Sequence, residues 1–481
     1  LLQKFENKTT TFTLDNGLTF VVIERHAAPV VSFATYADVG YVNEPLELAG
    51  IAHMFEHMAF KGTTSVGTEN IEAELAAIQA QEAIYLKLRR AKLQPDPNQA
   101  KIEKLQAEFK TATKRAQKLG ESGEFTRVLE RAGVTGLNAT TGADRTLYFY
   151  SLPSNKVELF FALESDRFIN PVLREFYTER DVVMEERRMR YESQPTGRLL
   201  EAFLTTAFKA HPYGIVGIGY DSTIQNYSRT EAIAFFEEYY GPKNLTIGIA
   251  GDVDPEAMKA LAKQYFGAWE GGEEPPPVRI VEPEQLGEKR VILRESTQPF
   301  VVIGYHRPSL YSEDQAVYSI LQDVLTEGRT SRMYQQLVTS GLALQVQVIP
   351  SYPGSKFPSL FVIFGIPSGE TTAVALEKAI YKVLESIKTE GITQEELKRA
   401  NTRTRADFIH GLDDNQNLAI SFARFEALFG DWREKFRNLQ QIQAVTLEDV
   451  KRVANETFQR SNRTVGLIKH VEDTHKGGGD V

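Results

Sequence analysis

Apolar and polar residues alternate with two different periods along the chain, which predicts a mixture of β-strands and amphipathic helices. Residues 10–23 alternate on both sides of Asp15-Asn16-Gly17, a sequence that favours a tight turn, so this segment is predicted to be a β-hairpin. Short apolar runs predict further strands at residues 30–36, 147–152 and 244–250. A longer period predicts an amphipathic helix at residues 156–169 and a charged helix at residues 179–191.

Residues 269–289 interrupt this pattern and separate two regions of ordinary periodicity. They include two glycines and three consecutive prolines within residues 271–277, which favour extended and solvated backbone. We therefore interpret the segment as a linker. It divides the chain into a first domain at residues 1–268 and a second domain at residues 290–481.

An internal repeat relates the two regions. Residues 244–253 resemble residues 462–471, an offset of 218 positions, and residues 29–36 resemble residues 299–305, an offset of 270 positions. The two offsets differ by 52. A duplication in which the first copy carries an extra segment of about 52 residues explains both matches.

The extra segment has a clear candidate. Residues 82–120 are rich in lysine, arginine, glutamate, glutamine and alanine and are broken at Pro95-Asp96-Pro97. This composition predicts a helical hairpin that turns at the prolines, within an insertion at about residues 78–124. A solvated arm without chemistry is the favoured interpretation; an arm that contacts a partner or the substrate is the alternative.

The composition is that of an ordinary water-soluble protein, with 42% hydrophobic and 25% charged residues among 481. The net charge is −9, so the composition does not indicate the basic surface that binds nucleic acids. No apolar run approaches the roughly 20 residues that span a bilayer. We therefore expect a soluble protein without a membrane span. Its first residue, Leu1, is compatible with export, for example to the periplasm, after removal of a signal, but the sequence does not fix the compartment.

The most informative chemistry is in the segment His53-Met54-Phe55-Glu56-His57. If the segment is helical, His53, Glu56 and His57 share one face, and two neutral imidazoles there can bind zinc at about 2.0–2.1 Å. The glutamate between them is placed to take a proton from a metal-bound water, and the pattern H-x-x-E-H is typical of zinc peptidases. A surface helix with two incidental histidines is the competing interpretation, and the apolar flanks argue against it.

A catalytic zinc needs one more protein ligand and an open position. The chain has no cysteine, so that ligand is expected to be a carboxylate. The residues alone do not choose among Glu185, Glu186 and Glu192. The arginines of the same charged helix, Arg187, Arg188 and Arg190, are interpreted as a solvated face.

With these segments the chain resembles the pitrilysin/insulinase family of zinc peptidases over nearly its whole length, and is most similar to the branch of mitochondrial processing peptidase and its bacterial relatives. The family segment Glu-Arg-x-x-Val-x-x-Glu stands here at residues 179–186. The resemblance implies that Glu186 is the third zinc ligand and that Glu179 is a second carboxylate near the site. The separation of His57 and Glu186 exceeds the usual family spacing by about the length of the insertion.

The resemblance also implies a fold and a substrate. The fold is α+β, with two homologous domains, each a mostly antiparallel β-sheet backed by α-helices, and a helical-hairpin insertion in the first. Asn138, Ala139 and Thr140 match a family segment on an edge strand that pairs with the substrate backbone, which suits extended peptides. His211, before a proline, is interpreted as a structural residue.

One departure from the family concerns the second half. Active single-chain relatives have an arginine and a tyrosine, with six residues between them, that bind substrate, but Leu337 and Leu344 stand at these positions. The resemblance therefore implies the zinc-bearing subunit of a heterodimer whose homologous subunit supplies the Arg/Tyr pair, with a homodimer as the alternative. Arg332 and Tyr334 are weaker substitutes because their spacing differs.

The expected function is that of a zinc-dependent endopeptidase or oligopeptidase acting on unstructured peptides. Glu56 is the expected general base, and His53, His57 and Glu186 are the expected ligands of Zn²⁺. The alternatives are a non-catalytic scaffold or peptide-binding subunit, which would have no need of Glu56, and a zinc hydrolase that acts on something other than peptides.

Overall fold

The structure is a computed structural model that describes residues 1–471, so the glycine-rich segment at residues 476–480 lies outside the described residues. Its strands form two sheets. The first sheet contains β1 (Thr9–Thr13), β2 (Thr19–Glu24), β3 (Val30–Ala37), β4 (Thr135–Thr141), β5 (Thr146–Pro153) and β6 (Leu245–Gly251). The second sheet contains β7 (Lys289–Glu295), β8 (Phe300–Arg307), β9 (Ala343–Tyr352), β10 (Ser359–Pro367) and β11 (Arg463–His470).

Helices make up most of the remaining chain. Those that precede β6 are α1 (Leu2–Glu6), α2 (Ile51–Met58), α3 (Ile71–Lys92), α4 (Gln99–Gln117), α5 (Glu124–Arg131), α6 (Val157–Ile169), α7 (Phe176–Arg187), α8 (Pro195–Ala207), α9 (Asp221–Asn226) and α10 (Arg229–Tyr239). Those that follow β6 are α11 (Pro255–Phe266), α12 (Gln315–Thr326), α13 (Ala373–Glu390), α14 (Gln394–His410), α15 (Asn415–Phe429), α16 (Glu434–Ala444) and α17 (Leu447–Thr457).

The two sheets share one topology. The first has the order β1-β2-β6-β3-β5-β4 and the second the order β7-β11-β8-β10-β9. In each sheet one pair is parallel, β2 with β6 and β7 with β11, and every other pair is antiparallel. Apart from β1 the orders are the same, which confirms two homologous, mostly antiparallel α+β domains.

The segments with the clearest hydrophobic pattern fold as predicted. The hairpin at residues 10–23 is β1 and β2, and the predicted strands are β3, β5 and β6. The turn of the hairpin is closed by Leu14, whose amide donates to the Leu18 carbonyl at 2.9 Å. The charged helix ends earlier than predicted, because α7 stops at Arg187 and a π-helical turn covers Arg188–Glu192.

The compact units of the molecule are not continuous in sequence. One unit comprises residues 1–185, 217–278 and 411–435, and the other comprises residues 186–216, 279–410 and 436 onward. Helix α15, from the second half of the sequence, packs on β2, β3 and β6 of the first sheet, and helix α8, from the first half, packs on β7 and β11 of the second. The predicted spans 1–268 and 290–481 therefore differ from the compact units. The apolar face of a helix shows in the sequence, but the sheet on which that face packs does not.

Equivalent glycines mark both of these contacts. Gly248 and Gly466 are related by the predicted offset of 218 positions and lie in β6 and β11. A Cβ atom at Gly248 would lie 2.1 Å from the Ala419 carbonyl oxygen of α15. One at Gly466 would lie 2.6 Å from Val302 Cγ1 of the neighbouring β8 and 3.2 Å from Leu199 Cδ1 of α8. Each glycine thus leaves room for the helix that comes from the other half of the sequence, α15 on the first sheet and α8 on the second; we call these two the exchanged helices.

The insertion is a helical hairpin, as predicted, but its first helix begins at Ile71 rather than near residue 82. The Asn70 side chain caps that helix by accepting the Ala73 amide at 3.0 Å. At the base of the hairpin, the Tyr177 hydroxyl of α7 donates to Glu82 at 2.5 Å, and the Tyr85 and Tyr177 ring centroids are 4.3 Å apart. The base therefore supports α7, whereas the interpretation as a solvated arm fits only the tip.

Among residues 1–471, no helix combines the length and the apolar character that crossing a bilayer requires. Export after removal of a signal stays a prediction.

Candidate active site

Helix α2 presents the two histidines and the glutamate of the motif on one face. Its opposite face is buried through Ile51, Met54, Phe55 and Met58, so the orientation of the helix is set by packing. The His53 and His57 ring centroids are 4.9 Å apart.

The start of α2 is held by a buried carboxyl group, that of Glu44, which the sequence interpretation missed. Glu44 accepts the Gly50 amide at 2.8 Å and the Ala52 amide at 2.7 Å. Burial raises the pKa of Glu44 to about 8, although both amides oppose the rise. A glutamate a few residues before a helix start was the only available signal, and it is a weak one because the residue is not at the usual capping position.

Glu56 projects from the same face as the histidines but is not one of the three clustered ligands. Its Oε2 is 3.7 Å from His53 Nδ1, and a quarter of its side chain is exposed. Burial raises the pKa of Glu56, but the His53 side chain, the Thr141 hydroxyl and His57 lower it by more, so the net pKa lies below the ordinary value. The group is thus a carboxylate at neutral pH.

Helix α7 brings Glu186 to the histidines, although Glu186 follows His57 by 129 residues. One donor atom from each of His53, His57 and Glu186 lies within 4.8 Å of the others. A tetrahedral zinc with bonds of about 2.1 Å needs its donors about 3.4 Å apart, so small side-chain movements suffice. Two imidazoles and one carboxylate fit a catalytic zinc with one open position; Glu185 and Glu192 are outside this cluster.

Glu179 lies against the second histidine, where the resemblance placed it. Its Oε2 is 3.4 Å from His57 Nδ1, and its other oxygen pairs with the Lys61 ammonium. Burial raises the pKa of Glu179, but His57 and Lys61 lower it by more, and the net pKa is below the ordinary value. A carboxylate behind a ligating imidazole fixes the ring and its tautomer. Lys61 was not foreseen, because its partner is distant in sequence.

The arginines at the end of α7 were interpreted as a solvated face, and this is wrong for Arg187. Its side chain is only 7% exposed and donates to both Glu201 oxygens, at 2.9 and 3.1 Å. Arg190 is exposed, as expected, but its Nη1 is 2.7 Å from Glu186 Oε1. Arg190 therefore orients the candidate third ligand.

Strand β4 is the edge of the first sheet and pairs only with β5 among the described strands. The side chains of Asn138 and Thr140 are exposed, whereas Ala139 is buried. A free edge with alternating exposed positions can accept an extended peptide as an added strand. The assignment of Asn138, Ala139 and Thr140 to substrate binding stays a prediction.

The buried state of His211 agrees with its interpretation as a structural residue. It is 4% exposed, and its Nδ1 accepts the Tyr213 amide at 3.2 Å.

The structure also argues against Arg332 as a substitute for the missing arginine. Its guanidinium donates to both oxygens of Glu396, at 2.7 and 2.8 Å, and to the Gly391 carbonyl at 2.9 Å. These bonds commit the side chain to packing within the second unit. Leu337 is buried in that unit and Leu344 is 60% exposed on β9.

The contact between Arg332 and Glu396 predicts acid-sensitive stability. Burial raises the pKa of Glu396, but hydrogen bonds from Arg332 and Thr393 lower it by more. The net pKa is about 2, below the ordinary value of 4.5. A lowered carboxyl pKa stabilises the fold above pH 4.5, and that contribution is lost as the pH falls toward 2. After allowance for partial exposure, we expect Glu396→Gln to cost about 1–2 kcal/mol at pH 7 and much less at pH 2.5, measured by urea unfolding.

Glu395→Gln is the matched control, because Glu395 is 81% exposed and its ion pair, with Arg399, lies along its own helix. It is expected to change the free energy of unfolding by less than about 0.5 kcal/mol at either pH. An equal loss for Glu396→Gln at both pH values would contradict the assignment.

Comparison with protein families gives two matches that together cover most of the chain. Residues 19–104 and 107–218 match the profile described as insulinase (peptidase family M16). Residues 226–403 match the profile described as peptidase M16 inactive domain.

Individual relatives match over nearly their full length. The chain is 28% identical to a protein named zinc protease PqqE from Helicobacter pylori, over 97% of this chain and 94% of the relative. The crystal structure of a protease from Helicobacter pylori superposes with a TM-score of 0.80 at 28% identity, covering 96% of this chain and 99% of that one. A peptidase M16 inactive domain from Pseudomonas fluorescens superposes with a TM-score of 0.74 at 15% identity, covering 96% of this chain and 97% of that one, and shows the shared fold alone.

Proposed function

Because the chain belongs to the insulinase family of peptidases (family M16), we propose that it is a zinc-dependent endopeptidase or oligopeptidase that hydrolyses unstructured peptides. The observation that carries the proposal is the convergence of His53, His57 and Glu186, with Glu56 beside them but outside the ligand set. A binding-only protein has no need of that fourth group. Relatives that are named zinc proteases support the choice of metal.

The chain's own residues account for substrate alignment and proton transfer. Zinc, when bound, lowers the pKa of a water molecule to near 7 and polarises the scissile carbonyl. Glu56 accepts a proton from the attacking water at a carboxylate oxygen and later delivers it to the leaving amine. The free edge of β4 aligns an extended peptide through backbone hydrogen bonds, which tolerate many sequences.

Two outer contacts hold the ligands in place. Glu179, paired with Lys61, orients the His57 ring, and Arg190 orients the Glu186 carboxylate. Such contacts tune ligand affinity by about 10- to 100-fold in other zinc sites.

We further propose that a homologous subunit completes the site. The oxyanion formed during peptide hydrolysis needs donors besides the metal. Leucines occupy the positions of the family's Arg/Tyr pair, and Arg332 is already bonded within its unit. A heterodimer with a subunit that carries the pair is the favoured arrangement, and a homodimer is the alternative.

The test is zinc content and turnover of a quenched, unstructured peptide pool by the full chain. Stoichiometric zinc with turnover that a chelator removes and zinc restores supports the peptidase, and shows that no other subunit is needed. Stoichiometric zinc without turnover, followed by turnover when the homologous subunit is added, supports both proposals. Absence of bound zinc overturns the function, and zinc without turnover in any combination favours a binding subunit.

A further inference from the structure

The second unit contains an apolar cavity that the proposed mechanism does not use. Its volume is about 270 Å³. It lies where helix α8 meets β8 and β10, and its apolar lining is formed by Tyr191, Leu199, Leu200, Phe300, Val302 and Phe364.

This cavity is separate from the main core of the unit. Phe361 and Ile363 of β10 belong to the core, and strand alternation directs Phe364 to the opposite face. Val301 and Ile303 of β8 are likewise core residues. Phe364 therefore lines a recess on the other side of the sheet, where it remains only partly buried.

Arg190 connects the recess to Glu186, the candidate third ligand, within the same unit. Arg190 lines the cavity, and its Nη1 is 2.7 Å from Glu186 Oε1. The π-helical turn at Arg188–Glu192 places both Arg190 and Tyr191 at the rim, and such turns are frequent at functional sites.

A glycine permits this arrangement. A Cβ atom at Gly197 would lie 2.1 Å from the Arg190 carbonyl oxygen and 2.7 Å from Tyr191 Cα. Only glycine lets the π-helical turn rest directly on the start of α8, so the position of the rim is built into the fold.

We propose that this cavity receives one bulky apolar side chain, aromatic or branched aliphatic, of a bound peptide. The inference rests on the proposed function. Cavities for whole small molecules usually measure about 300–1,000 Å³, so this one suits a single side chain. Burial of an aromatic side chain is favourable, and the Phe300 and Phe364 rings, whose centroids are 6.1 Å apart, offer aromatic surfaces for it.

The cavity predicts a substrate preference. The probes are quenched decapeptides of glycine, serine and alanine that carry a single phenylalanine, scanned through every position, and the corresponding peptide with serine there. We expect the zinc-loaded protein to prefer phenylalanine at one position by about 10- to 100-fold in kcat/KM. Thr196→Trp, at an exposed residue that lines the cavity, should reduce that ratio to near one.

Thr205→Trp is the matched control, because Thr205 is an exposed threonine on the same helix that does not line the cavity. It should keep the preference. Equal melting temperatures and zinc content for the two variants exclude misfolding as the cause.

Binding of the same peptides, measured by fluorescence anisotropy, separates this inference from the proposed function. Discrimination in binding that Thr196→Trp removes supports the cavity even if no peptide is cleaved. Turnover without any preference for phenylalanine, or a preference that Thr196→Trp retains, overturns the cavity while leaving the peptidase intact.

Discussion

Glu56→Gln is expected to reduce kcat by about 10²- to 10⁴-fold and to leave zinc binding intact. Glutamine keeps the size and the hydrogen-bonding shape of the side chain but cannot accept a proton. Glu56 stands outside the three clustered donors, so the metal does not depend on it. The measurement is kcat on a quenched peptide, together with metal analysis of the purified variant.

Glu47→Gln is the control, since Glu47 is an exposed glutamate a few residues before the same helix. It should leave both kcat and zinc content unchanged. Turnover that survives in Glu56→Gln would remove the general base from the mechanism, and loss of zinc would make Glu56 a ligand instead.

Arg174→Met is expected to lower the free energy of unfolding by about 3–5 kcal/mol, the largest stability effect we predict. Arg174 and Glu74 are 2% and 1% exposed, and their closest contact is 2.6 Å. The same guanidinium donates to the backbone carbonyls of Lys61, Thr63 and Val66. Methionine fills a similar volume but leaves a buried carboxylate and three carbonyls without this partner.

The effect should reach the candidate site, because the carbonyls that Arg174 holds belong to the loop that follows α2. The flanking residues Leu173 and Glu175 have positive φ angles of 51° and 55°, a conformation that the bonds to Arg174 help to maintain. Denaturant unfolding with Arg127→Met as control measures the change. Arg127 forms ion pairs that solvent screens, so its loss should cost far less than the loss of Arg174. An equal cost for both variants would contradict the prediction.

Sequence periodicity was sufficient for the elements whose pattern is local. Strands β3, β5 and β6 are apolar runs, and α2 has an apolar face opposite its polar one, so each is specified by its own residues. The candidate metal-binding motif could be predicted for the same reason, because His53 and His57 are one helical turn apart in α2.

Contacts between distant segments could not be predicted in this way. Lys61 supports the candidate site through Glu179, which is 118 positions away in sequence, and Glu44 supports it by accepting the backbone amides at the start of α2; periodicity identifies neither contact. Arg187 was misread because a run of arginines looks the same in sequence whether it is solvated or, as here, paired with Glu201 in the interior.

The exchange of α8 and α15 has a consequence for biosynthesis. The last strand of the first sheet ends at Gly251, but the helix that packs on it ends at Phe429 and its unit at residue 435 of 481. At 5–20 residues per second, a ribosome needs roughly 10–40 s to make the intervening chain. Throughout that interval the nascent first unit keeps an uncovered apolar sheet face, which makes it a client for chaperones until α15 has been synthesised.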